Sequence, residues 1–154
     1  MQRNLSYLAA LPVLALTLTL SAQEKTIDRA ALPAAVEKTL QTQSVGSTIK
    51  AIKTDRENGK TIYEVEMIFQ GHTKDIEIAA DGALNEIEEE IAFDTLPADV
   101  QKALTAKAGS AKITKVETLT KHDKLVAYEA ATLQGTKKGE IQVGPNGGKL
   151  AHAE

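Results

Sequence analysis

Three glutamates at alternating positions, Glu86, Glu88 and Glu90, are the side chains whose spacing is most suggestive of chemistry. A strand predicted over residues 83–92 would place them on one face, about 7 Å apart, because every second side chain of a strand points the same way. With Glu89 they form the densest negative segment of the chain. Such carboxylates bind Ca²⁺ or meet a basic partner. The favoured interpretation is a solvated sheet face whose like charges discourage aggregation, so the three are weak metal candidates only.

Catalytic groups are scattered rather than convergent. The chain has no cysteine, and neither Ser47 nor Ser110, each preceded by glycine, belongs to a Gly-x-Ser-x-Gly elbow. The three histidines, His72, His122 and His152, fall in predicted turns or the tail and lack the four-residue spacing of a helical zinc pair. An enzyme needs acid, base or nucleophilic groups that converge. The sequence therefore predicts no catalytic residue, no cofactor and no shared metal site.

Two predicted loops are candidates for contact with a partner, because recognition residues often lie on loops held by a rigid scaffold. The first loop covers residues 55–60 and the second covers residues 121–124. The candidate contact residues in these loops are Asn58, Lys60, His122 and Lys124.

Tyr128 is the fifth candidate contact residue. Its counterpart Tyr63 shares a predicted strand face with Val65 and Met67, which favours a place in the core. Tyr128 shares its face with smaller side chains such as Ala130, so we expect it to be the more exposed of the two tyrosines. An exposed aromatic side chain is a typical binding anchor.

These residues belong to a sequence that repeats. Residues 32–40 (LPAAVEKTL) return 64 positions later as residues 96–104 (LPADVQKAL). Further along, Tyr-Glu at 63–64 returns at 128–129, and Asp81-Gly82 returns as Asn146-Gly147. The pattern indicates a tandem duplication of one small unit.

Each unit reads as a helix followed by about four antiparallel strands. Leu32, Val36 and Leu40 recur every fourth residue on one helical face, and Pro33 suits a first helical turn. Strands are predicted over 48–54, 61–69, 73–79 and 83–92, and then over 112–120, 125–133, 139–143 and from Lys149. The fold class predicted is α+β, with the helices packed on one face of antiparallel sheet. The other face is then wet or meets a partner.

The N-terminal segment predicts export. Arg3 precedes an apolar run over residues 8–20, and small residues at 21–22 precede a polar stretch, as in a secretory signal peptide cut after Ala22. An uncleaved membrane anchor is the alternative, although the run is shorter than the roughly 20 residues of a spanning helix. The predicted division is a signal peptide at 1–22, one unit at 23–93 and a second at 94–154.

Composition narrows the class of partner. Loss of residues 1–22 leaves 17 basic and 21 acidic residues, a formal charge of −4. This balance argues against nucleic acid or an anionic membrane as the partner. Aromatic residues make up only 3% of the chain, so the core must be aliphatic.

The repeated motifs resemble the PepSY-like domain family, exported bacterial domains grouped with β-lactamase-inhibitor-like proteins. The Leu-Pro-x-x-Val helix start, the strand Tyr63-Glu64-Val65-Glu66 and the turn Asp81-Gly82 carry the resemblance, and the second unit repeats them less closely. The resemblance implies an exported α+β protein without catalytic residues. By analogy it also implies binding, and inhibition of a peptidase or related hydrolase.

We therefore expect a periplasmic or secreted, non-catalytic binding protein that occludes an exported protein, for which a hydrolase is one candidate. A small-ligand or divalent-metal-sensing module of the cell envelope is the alternative. The sequence leaves open the identity of the partner, the oligomeric state, and whether the two units share one sheet.

Overall fold

The computed structural model describes residues 24–57 and 59–152. The predicted signal peptide and the candidate Asn58 lie outside these described residues. Two α-helices, α1 (Ala34–Gln43) and α2 (Ala98–Ala108), alternate with groups of strands. The strands are β1 (Lys25–Thr26), β2 (Ser47–Glu57), β3 (Lys60–Phe69), β4 (His72–Ala79), β5 (Leu84–Glu90), β6 (Lys112–Lys121), β7 (Lys124–Gln134) and β8 (Lys137–Val143).

All eight strands form one antiparallel sheet in chain order, which confirms the α+β class. β5 pairs with β6, so the segments on either side of the predicted boundary after residue 93 share a single sheet. Four strands follow α1, but three follow α2. The strand predicted from Lys149 is wrong. Gly144 N donates to Gly148 O at 2.8 Å in a turn that matches the one between β4 and β5, but residues 149–152 form no strand.

Each helix buries the face that the four-residue spacing predicts. Val36 and Leu40 of α1 and Val100 and Leu104 of α2 are all 0% exposed. The apolar side chains under α1 come from β2, β3 and β4, and those under α2 come from β6, β7 and β8. The sheet residues in these two clusters are Ile52, Val65, Met67, Ile76 and Ile78 in the first, and Val116, Tyr128, Ala130 and Val143 in the second.

The glycine of each repeated turn packs against the first turn of a helix. Gly82 has φ +88°, and a Cβ there would lie 2.7 Å from the carbonyl oxygen of Ala35. Gly147 has φ +77°, and a Cβ there would lie 2.5 Å from the carbonyl oxygen of Asp99. Both positions require glycine because the backbone is left-handed and no side chain fits.

Both helices lie on the same face of the sheet. Lys74, Glu89, Thr118 and Tyr128 are successive cross-strand partners, and such partners point to one face. Ile76, two residues from Lys74 and thus on that face, packs under α1, whereas Tyr128 packs under α2. No described helix covers the opposite face, which we call the open face.

Candidate functional site

Nine carboxylates form three adjacent cross-strand rows on the open face, and we call them the carboxylate grid. Directly paired residues make up each row, and alternate residues of β5 link the rows. The first row is Glu64, Glu77 and Glu86, the second is Glu66, Asp75 and Glu88, and the third is Glu90, Glu117 and Glu129.

Local sequence explains how each strand contributes to the grid. In β3 and β4 the acids alternate with buried residues such as Val65 and Ile76, which pack under α1. Burial of the apolar face of each strand therefore forces its acids onto the open face. Adjacent strands lie about 4.8 Å apart, so the register brings like charges close together. Directly opposed like charges destabilise a sheet, so stability alone does not favour this arrangement.

The tightest part of the grid is a trio from three strands. Carboxylate oxygens of Asp75, Glu88 and Glu117 all lie within 4.8 Å of one another. Glu117 is only 4% exposed, and the other two are half-buried. An open depression of about 210 Å³ borders the trio and is lined by residues that include Glu64, Asp75, Glu86 and Glu88.

Three lysines neutralise part of this charge. Lys53 Nζ lies 2.6 Å from Glu66 Oε1 and 3.3 Å from Glu24 Oε2. Lys115 Nζ lies 2.8 Å from Glu117 Oε1, and Lys121 Nζ lies 3.4 Å from Glu86 Oε2. The amines therefore reach three of the nine grid carboxylates.

Neutral groups donate hydrogen bonds to four further grid residues. The amide of Asn85 donates to Glu77 Oε1 at 2.7 Å, and that of Gln142 donates to Glu129 Oε2 at 2.6 Å. Glu90 accepts hydrogen bonds from the backbone N–H and the hydroxyl of Thr73. The backbone N–H of Met67 donates to Asp75. Glu64, Asp75 and Glu88 form no ion pair within the described part of the chain.

Burial and neighbouring carboxylates raise the pKa values of five grid residues. Burial, with the charges of Glu129 and Glu117, raises the pKa of Glu88 from 4.5 to about 8. Burial and then a hydrogen bond shared with Glu140 raise the pKa of Glu129 to about 7. Burial also raises the pKa values of Glu64, Asp75 and Glu86. The pKa of Glu90 is lowered instead, mainly because the backbone N–H of Thr73 donates to it.

The structure places the three predicted glutamates at the centre of this surface. Glu86, Glu88 and Glu90 each belong to a different row of the grid. Their role in binding stays a prediction. The other six grid residues were missed, because only the pairing of β3 to β7 brings them beside β5. Alternating acids in two predicted strands, at 64 and 66 and at 75 and 77, were the available signal.

The loop candidates lie at one end of the sheet. Lys60 begins β3, His122 lies in the turn before β7, and Lys124 begins β7. The pairing of Lys53 with Glu64, and of Glu86 with Lys121, puts both loops beyond the first row of the grid. All three side chains are exposed, and their part in recognition stays a prediction.

The predicted exposure of Tyr128 is wrong. Tyr128 is 8% exposed and packs in the cluster beneath α2. The pattern of small neighbours along β7 was misleading, because Leu104 and Val143 supply the bulk around the ring from other elements. The proposed role of Tyr128 as a surface anchor therefore has no support from its burial.

Comparison with known families shows which family the chain belongs to. The model of the family described as "Putative beta-lactamase-inhibitor-like, PepSY-like" matches residues 18–72 and 63–142. The chain belongs to the PepSY-like family. The two matches overlap over residues 63–72, so they do not confirm two tandem units of a helix and four strands. The predicted division after residue 93 stays a prediction.

Solved structures share the fold of this PepSY-like protein. A BLIP-like protein from Bacteroides fragilis is 20% identical with a TM-score of 0.57, over 77% of this chain and 83% of that one. A "putative periplasmic" protein from Bacteroides eggerthii is 16% identical with a TM-score of 0.61, over 76% and 84%. A DUF2874 family protein from Bacteroides uniformis is 14% identical with a TM-score of 0.60, over 78% and 86%. No curated protein matched the sequence.

Proposed function

We propose that this PepSY-like protein is an exported, non-catalytic binding protein that docks its open sheet face on another protein and occludes it. The observation that carries the proposal is the open face itself. One whole side of an eight-stranded sheet lacks a covering helix among the described residues and holds the nine acidic side chains of the carboxylate grid. A large face that is neither covered nor optimised for stability is typical of an interaction surface.

The architecture keeps this face rigid. Both helices pack on the opposite side, where the two apolar clusters hold the strands in register. A preorganised surface loses little conformational entropy on binding, which favours affinity. The loops that contain Lys60 and His122 lie at one end of the face and would contact the rim of a bound partner.

An exported hydrolase is the class of partner that membership of this family supports. The family is described as β-lactamase-inhibitor-like, and the B. fragilis structure is called BLIP-like. Residues 1–22 have the pattern of a signal peptide, and the B. eggerthii structure is described as periplasmic. In the part of the chain that the structure covers, no helix has the length and hydropathy to span a bilayer. The signal-peptide pattern and the periplasmic neighbour support a periplasmic or secreted location.

Affinity capture with an activity assay tests the proposal. The chain from Gln23, tagged at its C-terminus, is immobilised and exposed to the envelope and secreted fractions of the source organism, with a purified β-lactamase as a separate probe. We expect one hydrolase to be retained in stoichiometric amount and to lose activity when bound, as mass spectrometry and turnover assays would show. Retention of no protein in stoichiometric amount would refute docking, and retention without loss of activity would refute occlusion.

A divalent-metal module is the second candidate, and the trio of Asp75, Glu88 and Glu117 is the observation that favours it. Carboxylate oxygens are the ligands that Ca²⁺ prefers. Lys115, only 2.8 Å from Glu117, already supplies a positive charge there and opposes a second cation. A rise in melting temperature on addition of CaCl₂ to wild type, absent in Glu88→Gln, would support this candidate, and no rise in wild type would remove it.

A further inference from the structure

Given the proposed function, we infer that the partner presents an extended basic segment, whose lysine or arginine side chains seat on the carboxylate grid. The segment runs along the strand direction of the open face, so that its basic side chains meet successive rows of the grid. This inference names the chemistry of the partner, and it rests on the open face being the docking surface.

Charge complementarity is the first argument. The whole chain carries 18 basic and 21 acidic residues, which is nearly balanced. On the grid, by contrast, nine carboxylates face only three lysines that reach them. A single-signed surface of this kind attracts and orients a partner of the opposite sign and rejects acidic ones.

The spacing of the grid is the second argument. Successive grid residues along a strand, such as Glu86 and Glu88, are about 7 Å apart, whereas grid residues on neighbouring strands are about 4.8 Å apart. Alternate residues of an extended segment are also about 7 Å apart. A segment with a basic residue at every second position can therefore place one cation against each row.

The lysines of the open face indicate which kind of cation pairs with the grid carboxylates. Lys53, Lys115 and Lys121 each direct an amine at a grid carboxylate, at 2.6, 2.8 and 3.4 Å. Glu64, Asp75 and Glu88 are left without an ion pair, and they lie together in the first and second rows. A metal ion draws its ligands to within about 2.6 Å, so one ion would neutralise a single point of a surface that spans five strands.

Proton release is expected to accompany binding. At pH 7 Glu88 keeps its proton, because burial and the carboxylates of Asp75, Glu86, Glu117 and Glu129 outweigh Lys115. An arriving ammonium or guanidinium group favours the charged carboxylate and lowers its pKa. Binding that releases protons strengthens as pH rises, by up to about tenfold per pH unit for each proton released.

Titration calorimetry with synthetic peptides tests the inference. The probes are a capped Lys-Thr-Lys-Thr-Lys-Thr-Lys peptide and its glutamate counterpart, each titrated into the chain from Gln23 at pH 6.0 and pH 8.5 and at 50 and 200 mM NaCl. The variant Glu64→Gln/Asp75→Asn/Glu88→Gln replaces the three grid carboxyl groups that lack ion pairs. The matched control, Asp28→Asn/Asp94→Asn/Asp99→Asn, removes three exposed charges elsewhere.

We expect the lysine peptide to bind wild type more tightly at pH 8.5 and at low salt. The grid variant should bind it at least about tenfold more weakly, and the control variant within about twofold of wild type. Equal binding to both variants, binding of the glutamate peptide, or no binding to wild type would each overturn the inference. Displacement of the lysine peptide by equimolar CaCl₂ would overturn it in favour of a metal site.

The same two variants separate this inference from the proposed function. A protein captured by wild type and lost from the grid variant, but kept by the control, supports both. Capture by all three proteins would leave docking intact and refute the basic-segment inference. Capture by none of them would refute the proposed function itself.

Discussion

Substitution of Glu88 by glutamine is predicted to stabilise the fold, and to do so more strongly as pH rises. The pKa of Glu88 is raised from 4.5 to about 8 in the folded state. Between these values the folded state holds a proton that the unfolded state has released, so stability falls with rising pH. The destabilisation is absent below about pH 4.5 and complete above about pH 8.

The magnitude follows from the size of the shift. One pKa unit corresponds to about 1.4 kcal/mol, so the full shift would cost roughly 3 kcal/mol at pH 7, and solvent screening of this half-buried group reduces the cost to about 1–2 kcal/mol. Glutamine keeps the shape of the protonated acid and cannot ionise. The free energy of unfolding of Glu88→Gln should therefore exceed that of wild type by under about 0.5 kcal/mol at pH 5 and by about 1–2 kcal/mol at pH 7.

Urea denaturation followed by far-ultraviolet circular dichroism, at half-unit steps from pH 5 to pH 8.5, measures this difference. Glu89→Gln is the matched control, because Glu89 is the next residue of β5 but points to the helix-covered face. A difference between Glu88→Gln and wild type that stays constant from pH 5 to pH 8 would refute the reasoning. An equal pH-dependent gain in Glu89→Gln would show that the grid is not its source.

Two further predictions concern the core and a turn. Tyr128→Ala should lower the free energy of unfolding by about 3 kcal/mol, because the substitution leaves a cavity beneath α2. The control Val45→Ala, at a residue 74% exposed, should change the free energy of unfolding little. Equal effects of the two substitutions in urea denaturation would contradict the buried position of Tyr128. Gly82→Ala should lower the free energy of unfolding by about 2 kcal/mol more than Gly71→Ala does. Both glycines have positive φ, but only Gly82 lies against the backbone of Ala35. Similar midpoints of the two variants in thermal unfolding would argue against that close approach.

Local patterns predicted the elements well because they depend on neighbours in the chain. The four-residue spacing of Leu32, Val36 and Leu40 predicts α1. Val36 and Leu40 lie in α1 and are buried as expected. Alternation predicts β3 and the direction of its side chains in the same way. The strand predicted from Lys149 failed because a strand also needs a partner, and residues 149–152 pair with no described strand, although the turn before them matches the turn that leads into β5.

The burial of Tyr128 depended on contacts that are distant in sequence. Its neighbours in β7 are small, which locally resembles a weakly packed surface. The ring is covered by α2 and by Val143 of β8, elements that meet β7 only in the folded sheet. Periodicity shows which residues share a face, but it does not show how much bulk the opposing layer supplies.

The sequence by itself determined that this PepSY-like protein is an α+β protein with acids on alternate positions of its strands, because side-chain alternation is a property of one strand. Only the tertiary structure decided that β3 to β7 lie side by side and bring Asp75, Glu88 and Glu117 within 4.8 Å of one another. Register and strand order arise from the packing of the whole sheet under two helices, and not from any one segment. The raised pKa of Glu88 has the same origin, since burial and the charges of other strands produce it.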